Sequence, residues 1–346
     1  MRYSELGRTG IKVSKICLGT MTWGEQNSRE DGFEQMDHAI EHGVNFFDTA
    51  EMYPIDTRPE TYGHTEEIIG SWLKKRKKRS EIILATKVCG PGRHHVRNGK
   101  CNFDRENILA AVEGSLKRLQ TDYIDLYQLH WPDRGWVDFQ NFGQVTSLPN
   151  LGADRSETLA VLEELIQAGK IRSWGVSNES AWGVMDFVAR ASCVKDDQLR
   201  PVSVQNAYNL LNRKFELSLA EIAFREGVGL LAYAPIAAGV LTGKYLNGLQ
   251  PAGARMTLWP HQDRYFNPQA QAGTASYVQL AEDFGIAPEV LAHAFVLSRP
   301  FVTASIVGGT AVRHLDQAFA ALKFDLTDEL ETKLEVLHKE HLVPAP

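Results

Sequence analysis

Short apolar runs recur along the chain, separated by segments whose apolar positions repeat every three to four residues. The runs are KICLG, VNFFD, EIILATK, YIDLYQLH, IRSWGVS, PVSVQN, VGLLAYAP and VTASIVGG, eight in all. Runs this short, rich in β-branched and aromatic residues, read as buried strands, and the intervening period reads as amphipathic helix. In FDRENILAAVEGSLKRLQ, Asp104 stands at an N-cap position and Ile108, Ala111, Val112, Ser115, Leu116 and Leu119 form one stripe. RSETLAVLEELIQAGK repeats the pattern with Leu159, Leu162 and Leu165 before Gly169 ends it. Eight alternating strand and helix units predict an α/β fold, a closed (β/α)8 TIM barrel. The alternation from Tyr3 to Val13 around GRTG predicts a β-hairpin closing the bottom of the barrel. Residues 1–346 hold no Pro-, Gly- or Ser-rich linker and no repeat, so a single domain is expected.

Composition narrows the function classes. With 346 residues and 43% hydrophobic content, the chain can bury a large core. A net charge of −6 gives no reason to expect a nucleic-acid partner. The four cysteines are scattered without a CxxC pair, which suits a reduced, cytoplasmic setting. The N-terminus lacks the apolar core of a signal peptide and no run is long enough for a bilayer, so no membrane association is expected. Nothing indicates a homo-oligomer.

Three connections are long for loops that leave strand ends: those after Tyr53, Lys87 and His130. In a barrel of this kind the loops at the C-terminal strand ends carry the active site. Asp48, Lys87 and His130 close the second, third and fourth runs, and Tyr53 follows Asp48. A carboxylate at the end of an apolar strand needs a cation, and Lys87 supplies one. The ammonium of Lys87 is then expected to draw the phenol of Tyr53 below its usual value near 10, making it a usable acid. Taken alone, His130 reads as a core histidine; in this company it reads as a ring N–H aimed at a substrate oxygen. Such a site can polarise a carbonyl and protonate the resulting alkoxide, with the hydride left to a cofactor.

GVNFFDTAEMY, ATK, DYIDLYQLHWPD, GKIRSWGVSN, VQNAYNLL and AYAPIAAGVLTGKY together resemble, in order and spacing, the motifs of the aldo-keto reductase superfamily, in the branch of bacterial Tas-type proteins and potassium-channel β subunits. The resemblance runs over nearly the whole chain. It implies a catalytic tetrad of Asp48, Tyr53, Lys87 and His130 and an extended NADP(H) bound without a Rossmann domain; consistently, no GxGxxG follows a strand. It further implies that Ser177, Asn178 and Gln205 hold the nicotinamide carboxamide and that Tyr233 stacks on its ring. Thr20 and Met21 would edge the ribose. Ala234, Pro235, Ile236, Ala237, Gly239 and Leu241 would cradle the pyrophosphate, and Lys244 and Arg255 would meet phosphates, favouring NADP over NAD. The last cofactor segment departs from the family pattern: after Gly308 and Thr310 come His314, Gln317 and Ala318 where the family has Gln followed by Glu-Asn. His314 and Gln317 are the adenine-side candidates, and Ala318 lacks a side-chain donor, which predicts a weakened hold.

Other features read more plainly. KKRKKR, Lys74 to Arg79, reads as a solvated helix end. RHHVRNGKC contains His94, His95 and Cys101 but no completing set, so no metal is expected. Trp136, Phe139 and Phe142 after His130, with Trp23, are candidate walls of a substrate pocket. The expected activity is NADPH-dependent reduction of an aldehyde or ketone, with Tyr53 as general acid. The alternative is a redox-sensing, protein-binding module like the channel β subunits. A sugar-phosphate barrel enzyme ranks last, because it gives Ser177, Asn178, Gln205 and Tyr233 no shared purpose.

Overall fold

The structure is a computed structural model and describes residues 1–77, 79–134, 152–194 and 197–345. A two-stranded antiparallel hairpin comes first, β1 (Tyr3–Glu5) and β2 (Lys12–Ser14), with Ser4 opposite Val13. Eight parallel strands follow: β3 (Ile16–Gly19), β4 (Phe46–Asp48), β5 (Ile83–Val88), β6 (Ile124–Leu129), β7 (Ile171–Ser177), β8 (Ser203–Ala207), β9 (Gly229–Tyr233) and β10 (Val302–Gly308). They lie in sequence order, and β10 pairs with β3 to close the barrel. Each of the eight apolar runs supplies one barrel strand.

Six helices fill the first connections: α1 (Arg29–Glu41), α2 (His64–Arg76), α3 (Arg105–Leu119), α4 (Arg155–Gln167), α5 (Ala181–Cys193) and α6 (Leu219–Glu226). The excursion after β9 carries α7 (Arg255–Leu258), α8 (Pro268–Asp283) and α9 (Pro288–Ser298), and β10 is followed by α10 (Val312–Ala321) and α11 (Asp328–Glu340). Their boundaries follow local chemistry. Ser28 and Asp31 form a reciprocal capping box on α1. Asp104 accepts from the Asn107 amide at the start of α3, as its position in the sequence implies. Gly169, at φ +69°, takes the left-handed turn that ends the α4 segment. The stripe of α3 is buried as expected, with Leu116 partly exposed at its edge.

The barrel interior is layered, because side chains two positions apart on a strand point to the same face. Cys17, Phe46, Ala85, Leu126, Leu231 and Ala304 form an apolar layer, and Leu6 and Val13 of the hairpin are buried against it. The hairpin therefore closes this end, fixed by Ser4 Oγ donating to the Thr303 carbonyl at 2.5 Å. One step of two residues up β4, β5 and β6 turns Phe46, Ala85 and Leu126 into Asp48, Lys87 and Gln128, a polar layer at the opposite end.

One expectation is corrected here. The basic run does not end wholly in solvent: Arg79 donates to Asp125 Oδ2 at 2.7 Å and lies over the Tyr123 ring at 3.8 Å. Asp125 is buried between β5 and β7, also accepting from the Leu84 amide and Arg172, and it needs a countercharge. Lys74, Lys75 and Arg76 do occupy the last turn of α2. No helix among the described residues is long and apolar enough to cross a membrane.

His293 on α9 is buried and neither ring nitrogen has a partner among the described residues; burial alone pushes it down to about 4. An unfolded histidine titrates near 6.5, so between these values the unfolded chain binds the extra proton and stability falls as pH falls. His293→Leu is expected to flatten the acid limb between about pH 6.5 and 4 by up to one proton's slope, about 1.4 kcal/mol per pH unit. Urea unfolding at stepped pH measures it, and an unchanged slope would refute the assignment.

Candidate active site

Asp48 ends β4 and Lys87 lies near the end of β5, one strand over. Lys87 Nζ donates to Asp48 Oδ2 at 2.6 Å and to the Thr49 carbonyl at 2.8 Å. The other Asp48 oxygen accepts from Gln128 Nε2 at 3.0 Å and Gln205 Nε2 at 2.8 Å. All four side chains are buried, and Lys87 has no exposed surface. Burial pulls the Lys87 pKa down, but the Asp48 charge, with Tyr53 and the hydrogen bonds, more than reverses it, so the ammonium is held charged.

Tyr53 Oη stands 3.5 Å from Lys87 Nζ, and the ammonium lies 4.9 Å from the centre of its ring. The expected downward pull on the phenol does not prevail. Burial raises the Tyr53 pKa, Lys87 lowers it, and Asp48 raises it again, for a net upward shift. The physical reason is that the chain buries the phenol against Ala50, Met52 and Cys89, leaving Tyr53 8% exposed, and there a phenolate loses most of its hydration. His130 sits edge-on to Tyr53, with ring centres 5.7 Å apart. Burial first, then Lys87 and Arg93, holds its pKa well below the ordinary value, so the ring is neutral, and its Nδ1 has no partner among the described residues.

The residues beyond the tetrad fall on the strand ends that follow. Ser177 Oγ donates to the Gln205 carbonyl at 2.9 Å. Asn178, in the left-handed region at φ +56°, donates to the His130 carbonyl and accepts from Tyr233 Oη at 2.8 Å. Thr20 Oγ1 donates to the Asp48 carbonyl, and the Met21 carbonyl accepts from the Ile55 amide. After Tyr233 the backbone passes through Ala234, Pro235 and Ile236 into Ala237, Ala238 and Gly239. Ala234, Ala237 and Ala238 are left-handed at φ +53°, +50° and +55°, a rare state for residues with a Cβ and one found at concave anion-binding turns. Leu241 is buried under this turn.

A cationic group borders the turn. Lys244 is pushed down by burial and by Arg313, and His314 by burial, Arg313 and Lys244. Arg255 is also pushed down by burial; its Nε donates to Gln262, and the titratable groups acting on it are the phenols of Tyr53, Tyr265 and Tyr245. Neither Lys244 nor Arg255 forms an ion pair among the described residues. Positive charge without a protein countercharge among the described residues, on exposed Lys244 and half-buried Arg255, fits an anionic ligand such as a phosphate.

Some candidates are placed elsewhere. Trp23 is fully buried between α1 and α2 and donates to Gln35 at 3.3 Å, so it is a core residue rather than a pocket wall. Trp136, Phe139 and Phe142 lie outside the described residues. Gln317 donates to Glu289 on α9 at 2.8 Å, whereas His314 Nδ1 accepts from the Thr310 amide at 3.2 Å. Ala318 is buried in the core, and exposed Gly308 pairs with Gly19 where β10 meets β3.

Sequence reasoning missed Gln128, which shares Asp48 with Gln205. Its signal was present: it lies two positions before His130 on one strand and so faces the same way. It also missed Arg313, beside His314, and Arg264, which donates to Tyr233 Oη at 3.2 Å. Arg264 sits in an irregular excursion where no periodicity marks direction.

A family model described as "Aldo/keto reductase family" matches residues 15–337. Among curated proteins, "Protein tas" of Escherichia coli is 44% identical, covering 100% of both chains. "Uncharacterized oxidoreductase YrpG" of Bacillus subtilis is 32% identical over 95% of this chain and 94% of its own. "Probable voltage-gated potassium channel subunit beta" of Arabidopsis thaliana is 30% identical over 93% and 91%.

Removing one member of a buried ion pair leaves the other uncompensated, which costs about 3–5 kcal/mol, whereas replacing both is far milder. Lys87→Met is therefore expected to destabilise the fold by that amount, and Asp48→Asn with Lys87→Met together by much less. Denaturant unfolding of the single and double variants checks this; additive losses would contradict it.

Proposed function

The chain belongs to the aldo/keto reductase family, and from that premise we propose that this oxidoreductase reduces an aldehyde or ketone at the expense of NADPH, with Tyr53 as the proton donor. The observation that carries the reading is the meeting of Asp48, Lys87, Tyr53 and His130 at one mouth of the barrel, with Lys87 Nζ reaching both Asp48 and Tyr53 Oη. When bound, the nicotinamide supplies a hydride to the carbonyl carbon. Ser177, Asn178, Gln205 and Tyr233 would hold its ring end, with Thr20 and Met21 at the ribose. The turn from Ala234 to Leu241 would take the pyrophosphate, Lys244 and Arg255 the phosphates, and the Gly308, Thr310, His314 and Gln317 segment the adenine side.

The residues divide the acid–base work. Tyr53, raised by burial, holds its proton through the neutral range and releases it only when charge builds on the carbonyl oxygen. Lys87 then stabilises the phenolate, and Asp48, steadied by Gln128 and Gln205, keeps Lys87 charged. His130, being neutral, retains one N–H to orient the carbonyl without competing as an acid. In the reverse direction the same groups accept the proton from an alcohol.

A second reading is favoured by the relative named as a channel β subunit: a protein that retains its cofactor and reports redox state to a partner. NADPH oxidation with a panel of aldehydes and ketones separates the two. Turnover supports the reductase; tight cofactor retention with no substrate consumed supports the sensor.

Tyr53→Phe is expected to lower kcat by about 10²–10⁴-fold while NADPH binding, followed by fluorescence titration, changes little. Lys244→Ala and Arg255→Ala are expected to weaken NADPH about tenfold or more each and NADH less, as lost charge-assisted contacts require. Equal losses for both nucleotides would remove the proposed 2′-phosphate role. The reductive rate should fall only as pH rises beyond the ordinary tyrosine range, because a raised phenol pKa keeps the acid form present below it.

A further inference from the structure

Outside the tetrad, the described residues bring three metal-competent side chains together at one place, the seam where the barrel's first and last units meet. His38 and His42 lie one turn apart at the end of α1, and Asp316 faces them from α10. One ligand atom from each lies within 4.8 Å of the others, and His38 Nε2 stands 2.7 Å from Asp316 Oδ1. His42 Nδ1 lies 2.9 Å from the His38 carbonyl oxygen, which can only accept. In the neutral ring this puts the proton on Nδ1 and the lone pair on Nε2, the tautomer fixed by a carbonyl partner that metal-binding histidines commonly show. The ring plane is fixed as well: His42 stacks on Phe319 at 4.7 Å and 9°, and the His38 ring lies 4.2 Å from that of His42.

We propose that His38, His42 and Asp316 bind one divalent cation of the zinc class, bridging α1 and α10. Two imidazoles and a carboxylate suit a borderline ion of this kind, whereas magnesium and calcium prefer all-oxygen shells. Bond lengths near 2.0–2.2 Å put neighbouring tetrahedral ligands about 3.3 Å apart, so the His38–Asp316 contact must open by roughly half an ångström. Asp316, with its side chain 54% exposed, has room to do so. A surface ion pair accounts for His38 and Asp316, and the His38 carbonyl with the Phe319 ring holds His42 in place beside them, so all three ligand groups are set without the ion. The three ligands leave one position for water. Because α1 follows β3 and α10 follows β10, and these strands pair to close the barrel, the ion would clamp its closure. Neither i,i+4 histidines nor a distant aspartate signals this in the sequence, since the partner lies on the last barrel unit.

The test uses the full chain, stripped with a chelator and dialysed. Zinc chloride is titrated in competition with a chromophoric zinc indicator, and thermal unfolding is followed with and without zinc. One equivalent should bind and raise Tm. His42→Ala and Asp316→Asn should each weaken that equivalent at least about tenfold and abolish the Tm rise, with Tm in chelator nearly unchanged because both side chains are exposed. Absence of zinc binding to the wild type overturns the proposal. So does equal affinity in wild type and both variants, which would place the ion on other residues such as Cys193.

Discussion

The ion pair between Asp48 and Lys87 organises the mouth of the barrel. Neither charge can lose its partner without a penalty of several kcal/mol, so the geometry around them is tightly constrained. Asp48 is held on its second oxygen by Gln128 and Gln205, and Lys87 by the Thr49 carbonyl, which leaves the ammonium one remaining direction, toward Tyr53. A cation fixed in this way lies next to a phenol that burial keeps protonated. The attraction of Lys87 for the Tyr53 oxygen then becomes large only when the phenol gives up its proton, as the proposed acid role requires.

The barrel makes this affordable by separating its interior into two ends. Apolar side chains and the hairpin exclude water from below, so the polar layer above sits in a medium where charges act strongly on one another. The same exclusion reverses the sequence expectation for Tyr53. Proximity to Lys87 does lower its pKa, but desolvation is the larger effect in a site this closed. His130 follows the same logic with the opposite sign for a base, and is driven neutral.

The cationic side of the site depends on backbone strain as well as charge. Three alanines in the left-handed region shape the turn after β9, and Lys244, Arg255, Arg313 and His314 gather beside it. Lys244, Arg313 and His314 repel one another there, and neither Lys244 nor Arg255 forms an ion pair among the described residues, an arrangement that suits an anionic ligand. This segment comes from two distant stretches, the excursion after β9 and the helix after β10.

The sequence determined the eight strands, the plugging hairpin and which strand ends carry Asp48, Lys87 and His130, because alternation and apolar runs are local consequences of side-chain direction and burial. It also made Gln128 readable by its spacing from His130, although that step was missed. Only the tertiary structure decided what depends on total burial and on contacts between remote segments. Trp23 went to the core, Arg79 went to a buried aspartate, Gln317 turned to Glu289, and the phenol of Tyr53 rose instead of falling. A residue's type fixes what it can bond, but the desolvation it suffers and the partners it meets are properties of the closed barrel, and no local pattern encodes them.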